Sequence, residues 1–335
     1  MKNPYNFINN MWSFPQITSY IAKKEKEILE FNLSPKSLYE PIEYILSLGG
    51  KKIRPALALF AYNLFSEDLE DIIRPALGIE VFHNFTLMHD DLMDNADIRR
   101  GKPTIHKAWN NNVAILSGDA MLIYAYQLIA TCNPKIFPEV LCLFSETAME
   151  VCQGQQYDME FETRSVVSKD EYLEMIRLKT AVLLGCSLKM GAMIGLASNE
   201  NAQLLYDFGI NLGLAFQLKD DLLDVYGDPT IFGKNIGGDI ICNKKTFLLI
   251  NALENADIQQ KKELAYWLSA EQFDKEEKIE KVTAIYNATN TQVMCEEKMN
   301  AYYDHAICCL ERIAVDNEKK KELKLLAENL MSRES

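Results

Sequence analysis

Asp90, Asp91 and Asp94 place three carboxylates within five residues. Their segment, His83-Asn84-Phe85-Thr86-Leu87-Met88-His89-Asp90-Asp91-Leu92-Met93-Asp94, otherwise reads as apolar helix. A helix turns about 100° per residue, so Asp90 and Asp94 point only about 40° apart. Like charges one turn apart destabilise a helix, and apolar surroundings raise the cost of leaving them unpaired, so the pair calls for a cation. A second copy, Asp220-Asp221-Leu222-Leu223-Asp224, also follows an apolar run. One acidic triplet is ordinarily a solvated helix face. Two with the same spacing, both in apolar helices, point to metal chemistry.

The neighbours say what the metal would serve. On an ideal helix His83 lies about 20° from the direction of Asp90, two turns away, so His83, Asp90 and Asp94 line one face. The following segment, Asp97-Ile98-Arg99-Arg100-Gly101-Lys102-Pro103-Thr104, adds two arginines and a lysine. Alone, Arg99-Arg100 is a surface charge pair. Beside the carboxylates it suits diphosphate: magnesium bridges oxygen to oxygen and arginine forks take the remaining oxygens. In the second copy Gln217 sits about 60° round from Asp220, with Gly213 and Gly209 upstream on the same face. Those glycines mean either close helix packing or room for a ligand. Downstream come Gly227-Asp228-Pro229, Gly233-Lys234, Asp239 and Lys244-Lys245. Gly49-Gly50-Lys51-Lys52-Ile53-Arg54-Pro55 is a tight turn opening onto a helix N-terminus, a natural anion site with added cations. Lys179-Thr180 interrupts an apolar helix, where the lysine needs either a charged partner or a path to the surface. There is no GxSxG or catalytic-cysteine signature, and histidine occurs only four times.

The elements that must carry these groups are helical. Fifteen glycines and ten prolines punctuate 335 residues, and the apolar periodicity between them is that of helices. Helices are predicted at 17–31, 38–48, from Pro55 to about 64, and at 71–93. Residues 95–104 then read as a loop. Further helices are predicted at 111–130, 137–162, 170–197, 201–226, 244–255, 258–269, 272–287 and 291–313, with a charged terminal helix from 316. Strand signals are nearly absent and no linker divides the chain, so a single all-α domain over 1–335 is expected. No apolar run reaches the roughly 20 residues of a membrane span, and the N-terminus lacks a signal-peptide pattern. Eight scattered cysteines without a CxxC pair read as reduced thiols of a cytoplasmic protein. The net charge of −13 argues against a nucleic-acid partner.

Taken in order, these motifs resemble the trans-polyprenyl diphosphate synthases over about residues 40–300. The first aspartate-rich motif stands as Asp90-Asp91-Leu92-Met93-Asp94 with Arg99-Arg100-Gly101-Lys102-Pro103-Thr104. The second stands as Phe216-Gln217-Leu218-Lys219-Asp220-Asp221-Leu222-Leu223-Asp224. The 49–55 turn, Lys179-Thr180, Gly233-Lys234 and Gly237-Gly238-Asp239 match in sequence order. The resemblance implies an isoprenoid-synthase helical bundle around a central cavity, a homodimer, and three magnesium ions. By it, Asp90 and Asp94 hold two ions, and Asp220 with Asp224 holds the third. Arg99, Lys179, Thr180, Gln217, Lys234 and Lys244 would meet the allylic diphosphate (dimethylallyl, geranyl or farnesyl). Lys51, Arg54, His83 and Arg100 would meet isopentenyl diphosphate. Asp90, Asp94, Asp220, Lys179 and Lys234 would carry catalysis.

In such enzymes bulky residues four and five positions before the first motif act as a floor under the growing chain. Here those are Thr86 and Phe85, which resemble enzymes stopping at short products, C20 ahead of C15. Phe85 points about 140° from Asp90 on the helix wheel, and Phe82, at about −80°, is the alternative floor. Terpene cyclases share the fold but need no isopentenyl diphosphate site, which Lys51, Arg54 and His83 would form. A non-catalytic subunit would have lost carboxylates or cations, and none is missing here. A metal phosphohydrolase using His89-Asp90 would want metal-binding histidines upstream, and none precedes His83.

Overall fold

The computed structural model describes residues 11–31, 33–228 and 236–332. Nearly every described element is a helix, and the predicted periods hold closely. Helix α1 spans Phe14–Ile28, α2 Lys36–Ser47, α3 Ile53–Asn63 and α4 Glu70–Met93. A two-residue strand pair (β1 Ile98–Arg99, β2 Lys102–Pro103) and a short helix α5 (Ile105–Ala108) precede α6 (Asn111–Ile129), α7 (Phe137–Thr163) and α8 (Lys169–Ile176). Next come a single π turn over Arg177–Ala181, α9 (Val182–Ile194) and α10 (Asn199–Tyr226). The chain continues with α11 (Gly238–Ile241), α12 (Phe247–Asn255), α13 (Ile258–Ser269), α14 (Lys275–Ala288), α15 (Thr291–Arg312) and α16 (Asn317–Met331).

Three local features differ from the periodicity. Residues 95–104 are not all loop. Arg100 and Gly101 both take positive φ, 51° and 75°, and this two-residue turn matches the twist of the β1–β2 pair. The helix predicted over 170–197 is broken by the π turn, which no apolar period announces. The helix predicted from 244 starts at Phe247, because the Thr246 hydroxyl accepts the Leu249 N–H and caps it there.

The chain forms two compact units. The first holds the chain up to Thr147, Leu183–Tyr206 and Glu311–Leu323. Its central helix is α4, buried on nearly all sides from Ile72 to Met88, as expected of a helix apolar all round. Gly78 lets α6 come close: a Cβ there would lie 3.0 Å from the Ala125 carbonyl oxygen. Immediately before Asp90, the His89 ring rests on Gly118 of α6, where a Cβ would lie 2.2 Å from Nε2. Helix α3 is buried from Pro55 to Asn63 and touches α9 through Gly191.

The second unit holds Ala148–Val182, Asp207–Leu310 and the chain from Lys324. Its core joins Phe161, Tyr172, Met175, Leu214, Leu218, Leu222, Phe247 and Leu264. Gly213 packs against Ala181, where a Cβ would lie 2.7 Å from Cα. Of the two meanings open for that glycine, close packing is the observed one.

Among the described residues α6 alone is long and apolar enough to cross a membrane by length and composition. One face of it, with Ala114, Met121, Ala125 and Leu128, is instead buried in the first unit.

Candidate active site

The first carboxylate cluster sits at the C-terminal end of α4, with Asp94 as its C-cap. The middle carboxylate has a protein partner. Asp91 is buried and accepts two hydrogen bonds from one guanidinium, Arg99 Nε to Oδ2 at 2.7 Å and Arg99 Nη2 to Oδ1 at 2.6 Å. Arg99 Nη2 also lies 3.8 Å from Asp90 Oδ2. The β1–β2 hairpin aims this arginine, and the Thr104 hydroxyl fixes the hairpin's base by donating to the Ala96 carbonyl. Such a forked pair is the strong, orienting kind.

Cations gather at the turn before α3. Gly49 and Gly50 take positive φ, 78° and 137°. The Arg100 guanidinium lies over them: Nη1 donates to the Gly49 carbonyl, and a Cβ on Gly50 would lie 2.8 Å from Arg100 Nη2. Lys51 is exposed. Lys52 turns inward to Glu25 at 2.6 Å and Glu80 at 3.3 Å. Arg54 Nη1 is 3.2 Å from His83 Nε2. A guanidinium can only donate, so His83 Nε2 accepts and its proton sits on Nδ1. Burial, reinforced by the field of Arg54, Arg100, Arg99 and Lys52, holds the His83 pKa well below the usual histidine range, so the ring is neutral. Burial also lowers Arg54, to about 10 against the pull of Glu80, which still leaves it charged at neutral pH. Arg54 Nε is buried with no hydrogen-bond partner. A half-buried cation with a buried, unused donor, beside Arg100 and a neutral histidine, suits an anion.

The aromatic residues upstream form a continuous stack. Phe144 meets Phe82 at 5.2 Å, Phe82 meets Phe85 at 5.6 Å, and Phe85 meets His89 at 4.8 Å between ring centroids. Phe82 is fully enclosed at 1% exposed, while Phe85 retains 8%. Thr86 is half-buried and donates to the His83 carbonyl at 2.8 Å.

The second cluster, in the other unit, repeats the plan with different partners. Asp221 is buried and accepts from the Tyr172 hydroxyl and from the Phe247 N–H. Burial, with Asp239 nearby, pushes its pKa up to about 7. Asp224 Oδ2 accepts the Asp239 N–H at 3.0 Å, and the Gly237 N–H donates to the Asp224 carbonyl at 2.6 Å. Burial and Asp239 raise Asp224 as well. Two carboxyls made costly to ionise by burial and by Asp239 favour a nearby cation. Lys244 Nζ lies 3.9 Å from Asp239 Oδ1. On the π turn, half-buried Lys179 pairs with Asp158 at 2.6 Å, so of the two options for this lysine the charged partner is the observed one. The Thr180 hydroxyl donates to Gln217 Oε1 at 3.4 Å. Lys234 and Gly233 lie outside the described residues.

The donor chemistry fits magnesium. Asp91 and Asp221 each accept two hydrogen bonds from protein donors; Asp90, Asp94, Asp220 and Asp224 are the carboxylates that the family resemblance gives to the metal. Among the described residues no three acidic, histidine or cysteine side chains form a closed metal cage. Magnesium does not need one, because it keeps waters and binds through one or two carboxylates plus substrate phosphates.

Helix periodicity gave the spacing of the carboxylates but not the side chains that pair with the motifs. Arg99, expected to meet the allylic diphosphate, also pairs with Asp91. Tyr172, Asp158 and Glu80 carried no local signal. Their partners lie far along the chain, 49 residues for Tyr172 and Asp221, and 21 for Lys179 and Asp158.

An all-helical fold bearing two aspartate-rich helix segments and a cationic glycine turn defines a diphosphate-handling enzyme of the isoprenoid-synthase class. The polyprenyl synthetase family model matches residues 35–286. The chain belongs to the polyprenyl synthetase family. It is 34% identical over 325 residues to the geranylgeranyl diphosphate synthase of Saccharolobus solfataricus, covering 96% of this chain and 97% of that one. It is 35% identical over 267 residues to the geranylfarnesyl diphosphate synthase of Natronomonas pharaonis, covering 72% and 78%. A crystal structure of a geranylgeranyl pyrophosphate synthase superposes with TM-score 0.92 at 43% identity, covering 97% of this chain and 100% of that one.

Proposed function

We propose that this prenyltransferase condenses isopentenyl diphosphate head to tail with an allylic diphosphate, and that it stops at geranylgeranyl diphosphate (C20), with farnesyl diphosphate (C15) the shorter alternative. The observation that carries this reading is the cationic turn, where Arg54, Arg100 and neutral His83 gather beside Gly49 and Gly50 and suit an anion in addition to the one expected at the carboxylates. A condensing enzyme needs a place for a second diphosphate, and a cyclase does not. The family match takes in segments of both units, which supports a single functional domain.

In this reading Asp90, Asp94, Asp220 and Asp224 hold three magnesium ions. When bound, these screen the charge that builds on the departing diphosphate. Arg99, Lys179, Thr180, Gln217, Lys234 and Lys244 orient the allylic diphosphate and share that charge as its C–O bond ionises. Lys51, Arg54, His83 and Arg100 hold isopentenyl diphosphate so that its double bond attacks the allylic cation. The apolar surroundings exclude water that would quench that cation. The new C–C bond uses the electron pair of the double bond, and loss of one proton, taken by the released diphosphate, restores an alkene five carbons along. Neutral His83 anchors the substrate's diphosphate without competing for that proton.

Helix α6 leaves Ile115, Leu116 and Ile123 exposed on its outer side. An apolar stripe on a helix whose other face is buried suits a second copy of the chain, and we assign the homodimer to it. All eight cysteines are free, which suits the reducing cytoplasm.

The test is incubation of purified protein with magnesium, isopentenyl diphosphate and each allylic primer, followed by product analysis. Chain elongation that stops on chelation supports the reading. Absence of any prenyl product, or conversion of the primer without consumption of isopentenyl diphosphate, overturns it.

Phe85 is the expected floor of the product site, being the less enclosed of the two candidates Phe82 and Phe85. Phe85→Ala therefore lengthens the major product by at least one five-carbon unit. An unchanged product distribution moves the floor to Phe82.

A further inference from the structure

Between α8 and α9, the Val182 N–H reaches back to the Arg177 carbonyl and closes one π turn. A π turn accommodates one residue more than an α turn, so it rotates the side chains around it by about 100° relative to an unbroken helix. Such turns pack their hydrogen bonds less well than α turns and persist where the surroundings over-determine them.

Here two glycines on two other helices supply that constraint. A Cβ on Gly154 of α7 would lie 2.2 Å from the Lys179 nitrogen and 2.7 Å from both the Leu178 carbonyl carbon and Lys179 Cα. A Cβ on Gly213 of α10 would lie 2.7 Å from Ala181 Cα and 2.8 Å from its Cβ. These contacts are backbone atoms or a Cβ fixed to backbone, so an added methyl group can be accommodated only by moving the turn. Glycine is the poorest helix former after proline, and at both points it stands against the local preference of a long helix. The ends of the turn are held by side chains: Arg177 by Glu174 and Glu150, Lys179 by Asp158, and Thr180 by Gln217.

We propose that Gly154 and Gly213 are positioning residues that clamp the π turn in register and so aim Lys179 and Thr180 at the allylic diphosphate. This rests on the allylic assignment of those two side chains under Proposed function. Neither glycine touches substrate. Their effect is transmitted through the backbone of Leu178, Lys179 and Ala181. An α-helical register would swing Thr180 out of reach of Gln217.

Gly154→Ala and Gly213→Ala, assayed with each substrate varied in turn, test the clamp. Both are expected to lower kcat/KM for the allylic diphosphate by about tenfold or more. KM for isopentenyl diphosphate should stay within about twofold and the helical circular dichroism should be retained. Adding Ala181→Gly to Gly213→Ala removes the Cβ that the new methyl meets, and most of the lost activity should return. If Gly154→Ala does not fold, that single and double pair at position 213 carries the test. Lys179→Met is measured in parallel. Unchanged allylic kinetics in Lys179→Met overturn the substrate assignment, and the aiming role falls with it. Impaired Lys179→Met together with wild-type allylic kinetics in the alanine variants overturns the clamp alone. Equal losses for both substrates, with no recovery in the double variant, also overturn it.

Discussion

Replacing Asp90 with asparagine lowers kcat by about a thousandfold, roughly 4 kcal/mol of transition-state stabilisation, with little change in melting temperature. The substitution keeps the shape of the side chain but removes a full charge from the position assigned to a magnesium ligand. Raising the magnesium concentration should not restore the rate, because the lost interaction belongs to the transition state. Asp91→Asn provides the contrast. Asp91 is buried in a forked pair with Arg99, and breaking a buried pair by removing one partner strands the other charge. Arg99 is about a quarter exposed in its side chain, so solvent relieves part of that cost. The expected penalty is about 1–3 kcal/mol, a fall of several degrees in melting temperature. Kinetics and thermal melts of both variants separate the neighbours. If Asp90→Asn retains activity within about tenfold of wild type, the metal-ligand assignment at this position fails.

Arg54→Met should raise KM for isopentenyl diphosphate by about a hundredfold while the protein stays folded. In the resting state Arg54 is a half-buried cation whose Nε is buried without a hydrogen-bond partner, and burial lowers its pKa to about 10. Methionine has a similar length and no charge to desolvate, so its burial relieves a cost that the arginine carries. Against this, His83 Nε2 loses its donor, a loss of about 1 kcal/mol. The two nearly offset each other, and the melting temperature should move by no more than about 4 °C. Binding is different, because Arg100 is already placed over the Gly49 carbonyl and does not replace the fork lost at position 54. KM for the allylic substrate should not change. A variant with wild-type KM for isopentenyl diphosphate would place that substrate elsewhere. A residue whose removal spares stability but abolishes binding is the signature of a group kept for its ligand.

Much of this molecule was readable without coordinates because the determining interactions are local. Apolar spacing along 70–93, 111–129 and 199–226 makes helices whatever lies around them, and glycine, proline and capping residues end them within a residue or two. The alignment of Asp90 with Asp94, and of Asp220 with Asp224, follows from helix geometry alone. So does the need for a cation between them. The glycines at 49 and 50 announce a left-handed turn because few other residues tolerate one, and both take positive φ.

Tertiary structure decided which side chain each buried middle carboxylate pairs with. Asp90 and Asp91 are indistinguishable by type and adjacent by position. What separates them is a guanidinium eight residues away, delivered by a hairpin that helix periodicity does not reveal. Tyr172 does the same for Asp221 across 49 residues. The π turn is the clearest case. Nothing in the run Leu178-Lys179-Thr180-Ala181 breaks an α-helix by itself, and the turn exists where Gly154 and Gly213 let two other helices press against its backbone. Sequence alone determined that this chain is helical and acidic, and it set out the carboxylate and cation motifs on which the proposed metal and diphosphate chemistry rests. Only the packed structure determined which way each charge points, because direction is set by contacts between segments distant in the chain.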